Sequence, residues 1–343
     1  MTVTGPVDAA DLGVILPHEH VLMDWDWPSL WPDVSHRPDL VWKELTIENL
    51  GEVRRNYLAI RDNALLDNID EMYREVERFR EAGGGTIIEV STYGLHGNPA
   101  GLREISLRTG VHIIAGTGFY LDLTLPREVK EMTIEQMYER MMRDITEGFP
   151  GTDVRAGLIG EVGISSPMTP IEERSLRAAV RVQKDTGLAM NVHMGYSADL
   201  RQHVIGLLRK EGANFQKIAF AHCDGNPLEV NRELAEAGGY VEYDNFGIEF
   251  YVDNGAFDAD TAFYFATDAE RVRSAKTVID DGLSDRLLFS QDVCSKYWTA
   301  QYGGHGYAHV LEDILPMLEH MGVARETLAR IVRDNPMRLL QSE

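Results

Sequence analysis

Cysteine is scarce in this chain. Only Cys223 and Cys294 occur in 343 residues, too few for a disulfide framework, and a reducing compartment would keep both as thiols. Positive charge is scarce too: 33 Lys and Arg stand against 55 Asp and Glu, a formal net charge of −22. Such a surface repels phosphate backbones and anionic membranes, so no nucleic-acid or membrane partner is expected. No apolar run reaches the ~18 residues of a membrane helix, and no basic segment followed by an apolar stretch opens the chain. A cytoplasmic location is the expectation. Low-complexity linkers are missing as well, and the first apolar run is followed by "PHEHVLMD" rather than by a Gly-rich phosphate turn. That speaks against an open, doubly wound nucleotide-binding sheet.

What is present is a repeated pattern. Short apolar, β-branched runs recur at 13–18 "GVILPH", 86–91 "TIIEVS", 111–117 "VHIIAGT", 157–163 "GLIGEVG", 188–193 "LAMNVH", 217–222 "KIAFAH", 239–245 "GYVEYDN" and 286–292 "RLLFSQD". Near-continuous hydrophobic strands are what a sheet covered on both faces requires. Helical periodicity lies between them, as in 68–83, where Ile69, Met72, Val76 and Phe79 form one stripe ahead of three glycines. Further helices are expected at 171–185, 197–212, 228–237, 268–281, 308–321 and 325–334. Eight strands alternating with helices predict an α/β fold, a single (β/α)8 TIM barrel domain over residues 1–343. The segment 21–67, with Trp25, Trp27, Trp31 and several prolines, reads as a loop-rich excursion over one barrel mouth that shapes a pocket or a subunit contact.

In such a barrel the active site lies where the strands end. His18 and His20 close the first run and share one face of the strand, with Glu19 on the other, a packing or supporting residue. Glu161 sits in the fourth run, and His193, His222 and Asp292 end the fifth, sixth and eighth. Four imidazoles and two carboxylates thus fall where a barrel aims them at one point. Divalent cations would supply the charge that makes burying those carboxylates tolerable. Six protein ligands exceed the needs of one tetrahedral zinc but suit two metals sharing a bridging carboxylate. The imidazole-rich donor set favours Zn, accepts Mn, Co or Fe, and disfavours Ca and Mg.

"LPHEH", "GLIGEVG", "NVHMG", "AHCD", "FSQD" and "YGGHGYAH", in that order, resemble the phosphotriesterase-related branch of the amidohydrolase superfamily, from about Gly5 to Asn335. The resemblance implies a distorted (β/α)8 barrel, often a homodimer, with two divalent metals. It implies that His18, His20 and Asp292 hold the more buried metal, that His193 and His222 hold the more exposed one, and that Glu161 bridges them. Glutamate at the bridging place departs from the best-known phosphotriesterases and lactonases, which use a carboxylated lysine. "VEYDNFGIE" and "YGGHGYAH" are similar to members associated with N-acyl amide hydrolysis. Relatives acting on phosphorylated lactones carry a lysine where this chain has Ile248.

The expected function is metal-dependent hydrolysis of a carboxylic ester, lactone or amide in a small molecule by a metal-bridging hydroxide. Asp292 is the expected proton acceptor, and Tyr120 is expected to hydrogen-bond the carbonyl or leaving group. Asp244, Phe246 and His305 are candidate substrate contacts, and Phe250, Tyr251 and Tyr302 suggest an aromatic component in the pocket. Phosphotriester hydrolysis is the alternative within hydrolases. A non-catalytic metal-binding barrel is the alternative outside them, and a metal-independent aldolase or isomerase would want a reactive lysine on a strand, which none of these strand ends supplies.

Overall fold

The computed structural model describes residues 1–24, 37–194, 198–249 and 265–341. Trp25, Trp27, Trp31, Phe250 and Tyr251 lie outside the described residues. Eight strands, β1 (Val14–Glu19), β2 (Gly84–Glu89), β3 (His112–Thr117), β4 (Leu158–Ile164), β5 (Met190–Met194), β6 (Ile218–Phe220), β7 (Tyr240–Tyr243) and β8 (Leu287–Phe289), pair in chain order. Every neighbouring pair is parallel, so each return needs a crossover, and helices supply it. The result is a nearly closed (β/α)8 barrel, as the eight apolar runs predict.

The seam between β1 and β8 is closed by side chains rather than by a ladder. The His18 N–H donates to Ser290 Oγ at 3.2 Å, and Ser290 Oγ donates to Glu19 Oε1 at 2.7 Å. The backbone N–H groups of Gln291 and Val293 donate to Glu19 Oε1 and Oε2 at 2.7 and 2.9 Å. Glu19, on the face of β1 opposite the two histidines, is thus the clasp of the barrel. Burial pushes its carboxyl up to about 7, against the three hydrogen bonds.

Between the strands run α1 (Ile69–Glu81), α2 (Pro99–Thr109), α3 (Ile134–Thr146), α4 (Pro170–Thr186), α5 (Ala198–Glu211), α6 (Leu228–Glu236) and α7 (Asp268–Asp280); after β8, a π-helical turn at Val310–Ile314 leads into α8 (Leu315–His320). Local chemistry explains their ends: α4 opens on a Thr169–Glu172 capping box with Pro170 in the first turn, and stops at Gly187 in the left-handed conformation. Two helices, α2 and α3, occupy intervals that the periodicity leaves unassigned. Their punctuation is clear nonetheless: Asn98 and Gly110 bound α2, and a Thr133–Gln136 capping box starts α3.

Inside the barrel Ile15, Ile88, Val90, Ile114, Leu158, Ala219, Tyr240 and Leu288 form the core, and Leu339 of a last helix, Asn335–Leu340, packs against it. The outer core lies between strands and helices. Phe79 of α1 illustrates its tightness, since a Cβ on Gly84 of β2 would stand 2.3 Å from the ring. The described part of the excursion contains a short antiparallel ribbon, Met23–Asp24 with Leu65–Leu66. It meets the loop after β8, where Lys296 Nζ donates to Asp62 Oδ1 at 2.6 Å and Trp298 stacks with Tyr57. Among the described residues no helix is long and apolar enough to cross a membrane.

Candidate active site

The C-terminal strand ends bring His18, His20, Glu161, His193, His222 and Asp292 together. His20 Nε2 lies 3.3 Å from Glu161 Oε1 and 3.2 Å from Asp292 Oδ1. His18 Nε2 lies 3.7 Å from Glu161 Oε2 and 3.8 Å from Asp292 Oδ1. His193 Nδ1 is 3.0 Å from Glu161 Oε2, and His222 Nε2 is 2.8 Å from His193 Nδ1. Glu161 therefore turns one oxygen towards His20 and the other towards His193. His18, His20 and Asp292, and likewise His18, Glu161 and His222, place potential ligand atoms close enough together to hold a metal ion.

Local backbone makes these placements. Gly160, just before Glu161, has φ +117°, and a Cβ there would stand 2.3 Å from the Asn191 carbonyl oxygen, so glycine is what lets β4 lie this close to β5. His222 and Asp292 sit in the left-handed region with φ +57° and +51°. Such conformations cost a non-glycine residue about 1–3 kcal/mol and persist only where the surroundings hold them. At His222 the hold is explicit: its N–H donates to both oxygens of Asp244, at 3.0 and 2.9 Å.

A ring of acceptors orients the imidazoles. His18 Nδ1 faces Glu242 Oε2 at 3.1 Å, His222 Nδ1 faces Asp244 Oδ1 at 3.1 Å, and His20 Nδ1 faces Ser91 Oγ at 2.8 Å. Ser91 Oγ itself donates to Glu89 Oε1, which leaves it an acceptor for His20. With Nδ1 protonated, each of these rings turns an Nε2 lone pair inwards. Glu242 is in turn fixed by Asn191 Nδ2 at 2.7 Å.

The electrostatics describe a centre short of positive charge. Burial opposes protonation of His20 and His222, yet the carboxylates of Asp292 and Glu161 push His20 up to about 10, and Asp244 pushes His222 up to about 9. Burial would raise Glu161, but His193, His20 and His18 hold its carboxyl well below the usual range. His193, with burial and the charge of His222 against it, is lowered. In the absence of another cation the imidazoles must carry the compensating protons. His18 Nε2 and Asp292 Oδ1 nevertheless have no hydrogen-bond partner although both are buried.

The remaining sequence candidates separate. Tyr120 is buried with its ring edge-on to His193, centroids 5.0 Å apart. Burial and the charges of Glu161 and Asp292 keep its hydroxyl protonated well beyond its ordinary range. Asp244, expected at the substrate, is instead fully buried with both oxygens on His222, because its strand parity points it into the barrel beneath the centre. Phe246 is buried against Phe289, and His305 stacks on His309 at 3.9 Å, outside the cluster. Phe246 and His305 do line one narrow cleft, with Ile248, Gln291, Val293 and Trp298. Tyr302 lies elsewhere, its hydroxyl 3.4 Å from Glu71. Both cysteines are buried free thiols. Sequence reading missed Glu242, Asn191 and Ser91. Glu242 had a signal, a carboxylate inside an apolar strand two residues from Asp244 and on the same face.

A parallel eight-stranded barrel with its polar centre at the C-terminal strand ends is the architecture of a barrel enzyme. The chain belongs to the phosphotriesterase family, whose description it matches over residues 1–340, and it is a hydrolase. It is similar to the phosphotriesterase-related protein of Nematostella vectensis, 37% identical over 98% of this chain and 96% of that protein. It is also similar to the N-acetyltaurine hydrolase of Xenopus tropicalis, 33% identical over 99% of this chain and 97% of the relative. Among solved structures, a resiniferatoxin-binding protein from Rhodobacter sphaeroides superposes with a TM-score of 0.92 at 34% identity, covering 99% of this chain and 94% of that one.

Proposed function

We propose that this protein hydrolyses a carboxylic ester, lactone or amide of a small molecule at a centre of two divalent cations, with the N-acyl amide first among the three. The observation that carries the reading is the convergence of four imidazoles and two carboxylates around His18 Nε2 and Asp292 Oδ1, buried polar atoms without partners. That donor set fits two cations: His18, His20 and Asp292 would hold one, His193 and His222 the other, and Glu161, with an oxygen turned to each side, would bridge them. Imidazole with carboxylate suits Zn, and also Mn, Co or Fe. When bound, such ions lower the pKa of water towards neutrality and polarise a carbonyl.

The chain's own residues supply the rest. Asp292 Oδ1 accepts the proton of the attacking water and passes it to the leaving nitrogen or oxygen. Tyr120, neutral at working pH, donates its O–H to the substrate carbonyl or leaving group beside His193. Glu242, Ser91 and Asp244 keep the three imidazoles in the tautomer that faces the centre. The amide comes first because relatives matching nearly the whole chain carry the name N-acetyltaurine hydrolase.

The test is metal content per chain by elemental analysis on wild type and Glu161→Ala, with N-acyl amide, ester, lactone and phosphotriester hydrolysis assayed on the same samples. Near two metals in wild type, fewer in the variant and N-acyl amide cleavage are expected. Metal-free wild type that cannot be reconstituted overturns the site assignment.

A further inference from the structure

Among the described residues Arg271 is the largest fully buried side chain, at 1% exposure, and none of the chemistry above uses it. It projects from the first turns of α7. Its Nε donates to Asp224 Oδ2 at 2.6 Å and its Nη2 to the Ile248 carbonyl at 3.0 Å, with Nη1 3.4 Å from Asp268 Oδ1. One guanidinium thus ties the loop after β6, the loop after β7 and the start of α7. From Asp224 a line continues inwards. Asp224 Oδ1 accepts from Asn245 Nδ2 at 2.6 Å, and the same amide nitrogen donates to Asp244 Oδ1 at 2.9 Å. Asp244 Oδ1 faces His222 Nδ1 at 3.1 Å.

We propose that Arg271 is a positioning residue for His222, acting through Asp224, Asn245 and Asp244. The physical reason is the planarity of the groups in the line. A carboxylate can rotate about its Cβ–Cγ bond; the His222 N–H holds both oxygens of Asp244, and Oδ1 is pinned further by the Asn245 amide, whose own plane is set by Asp224, whose second oxygen accepts from Arg271 Nε. Without Arg271, Asp224 is a buried anion whose nearest cation has gone, and it must reorganise, releasing the Asn245 amide. His222 keeps its Asp244 contact but loses its fixed direction towards the centre. Arg271 also staples the loop after β7, so a purely structural role must be separated from this one. Asn245→Ala does that, because it cuts the line and leaves the three Arg271 contacts in place.

The inference rests on the metal reading of the centre, and its test reads the metal directly. Wild type, Arg271→Met, Asn245→Ala and the double variant are titrated with Zn against a chromophoric chelator, the Co(II) forms are compared by their visible spectra, and melting is followed by circular dichroism. Loss of an orienting partner outside the ligands weakens metal binding by about 10- to 100-fold. The weaker-bound ion should lose about tenfold in affinity in Arg271→Met and in Asn245→Ala alike, with the same change in the Co(II) spectrum. The double variant should be no worse than either single one, since both cut one line. Asn245→Ala with wild-type affinity and spectrum overturns the proposal, and it decides even if Arg271→Met does not fold. Wild type that takes up neither Zn nor Co(II) overturns the reading of the centre itself.

Discussion

Asp244→Asn isolates the link between the buried carboxylates and the centre. The Asp244 carboxyl is held below its usual range, because His222 and its hydrogen bonds outweigh the burial that would raise it. It is therefore an ionised acceptor of the His222 backbone N–H, of His222 Nδ1–H and of Asn245 Nδ2. An asparagine has one acceptor oxygen. Placed at the Oδ1 position, that oxygen keeps His222 Nδ1, Asn245 and the 3.0 Å contact of the His222 N–H, while the new NH2 stands where Oδ2 accepted the same N–H at 2.9 Å. The two bonds to His222, from its N–H and its Nδ1–H, fall from charge-assisted to neutral, a loss of about 1 kcal/mol each. About 2 kcal/mol corresponds to roughly 30-fold in an equilibrium constant. Zn affinity of the more weakly bound ion, by chelator competition on protein with unchanged far-ultraviolet dichroism, should fall by that factor, with the tighter ion retained. Unchanged affinity for both ions, or loss of the tighter one first, would refute the argument that Asp244 acts through His222.

Three further outcomes follow from the same geometry. Tyr120→Phe should lower kcat by about 100-fold, the size of a lost oxyanion donor, at unchanged metal content; a kcat within twofold of wild type removes Tyr120 from the mechanism. Glu19→Ala orphans the buried N–H groups of Gln291 and Val293, and at ~1–3 kcal/mol for each unsatisfied donor should destabilise the barrel by about 2–6 kcal/mol in urea unfolding. A loss below ~1 kcal/mol would mean the seam is closed by something else. Asp144, whose carboxyl burial pushes up to about 6 despite Thr117 and Tyr93, keeps its proton in the folded state after the unfolded chain has lost it. It therefore costs the native state stability as pH rises from ~4 to ~6, about 3 kcal/mol in all at ~1.4 kcal/mol per pH unit. The unfolding free energy of Asp144→Asn should lack that slope, and parallel pH curves for variant and wild type would contradict it.

The eight strands were legible because each is a short apolar run with period-independent burial, and all eight recur in the barrel. α1 was legible from its stripe. α2 was not, although it carries caps, because Gly101 and Ser106 in its buried face blur the period; α3 went unassigned although its capping box and its apolar stripe through Ile134, Met137 and Met141 are as readable as the stripe of α1. The geometry of the excursion was beyond pattern reasoning, because what orders its described part is distant in sequence. Asp62 takes the ammonium of Lys296, and Tyr57 meets Trp298.

Strand periodicity by itself determined that His18 and His20 share a face, that Glu19 opposes them, and that five strand ends present groups able to bind a cation. Period conveys which side of an element a residue takes, and in a parallel barrel that suffices to aim the C-terminal ends at one centre. Only the tertiary structure decided the partners. That Glu161 divides its oxygens between His20 and His193, that Glu242 and Ser91 orient His18 and His20, and that Asp244 serves His222 rather than facing the mouth depend on register between strands far apart in the chain. Glu19 closing onto Ser290 and Arg271 reaching Asp224 are of the same kind. A hydrogen bond needs a partner within about 3 Å at the right angle, and nothing in the spacing of residues along one strand specifies that.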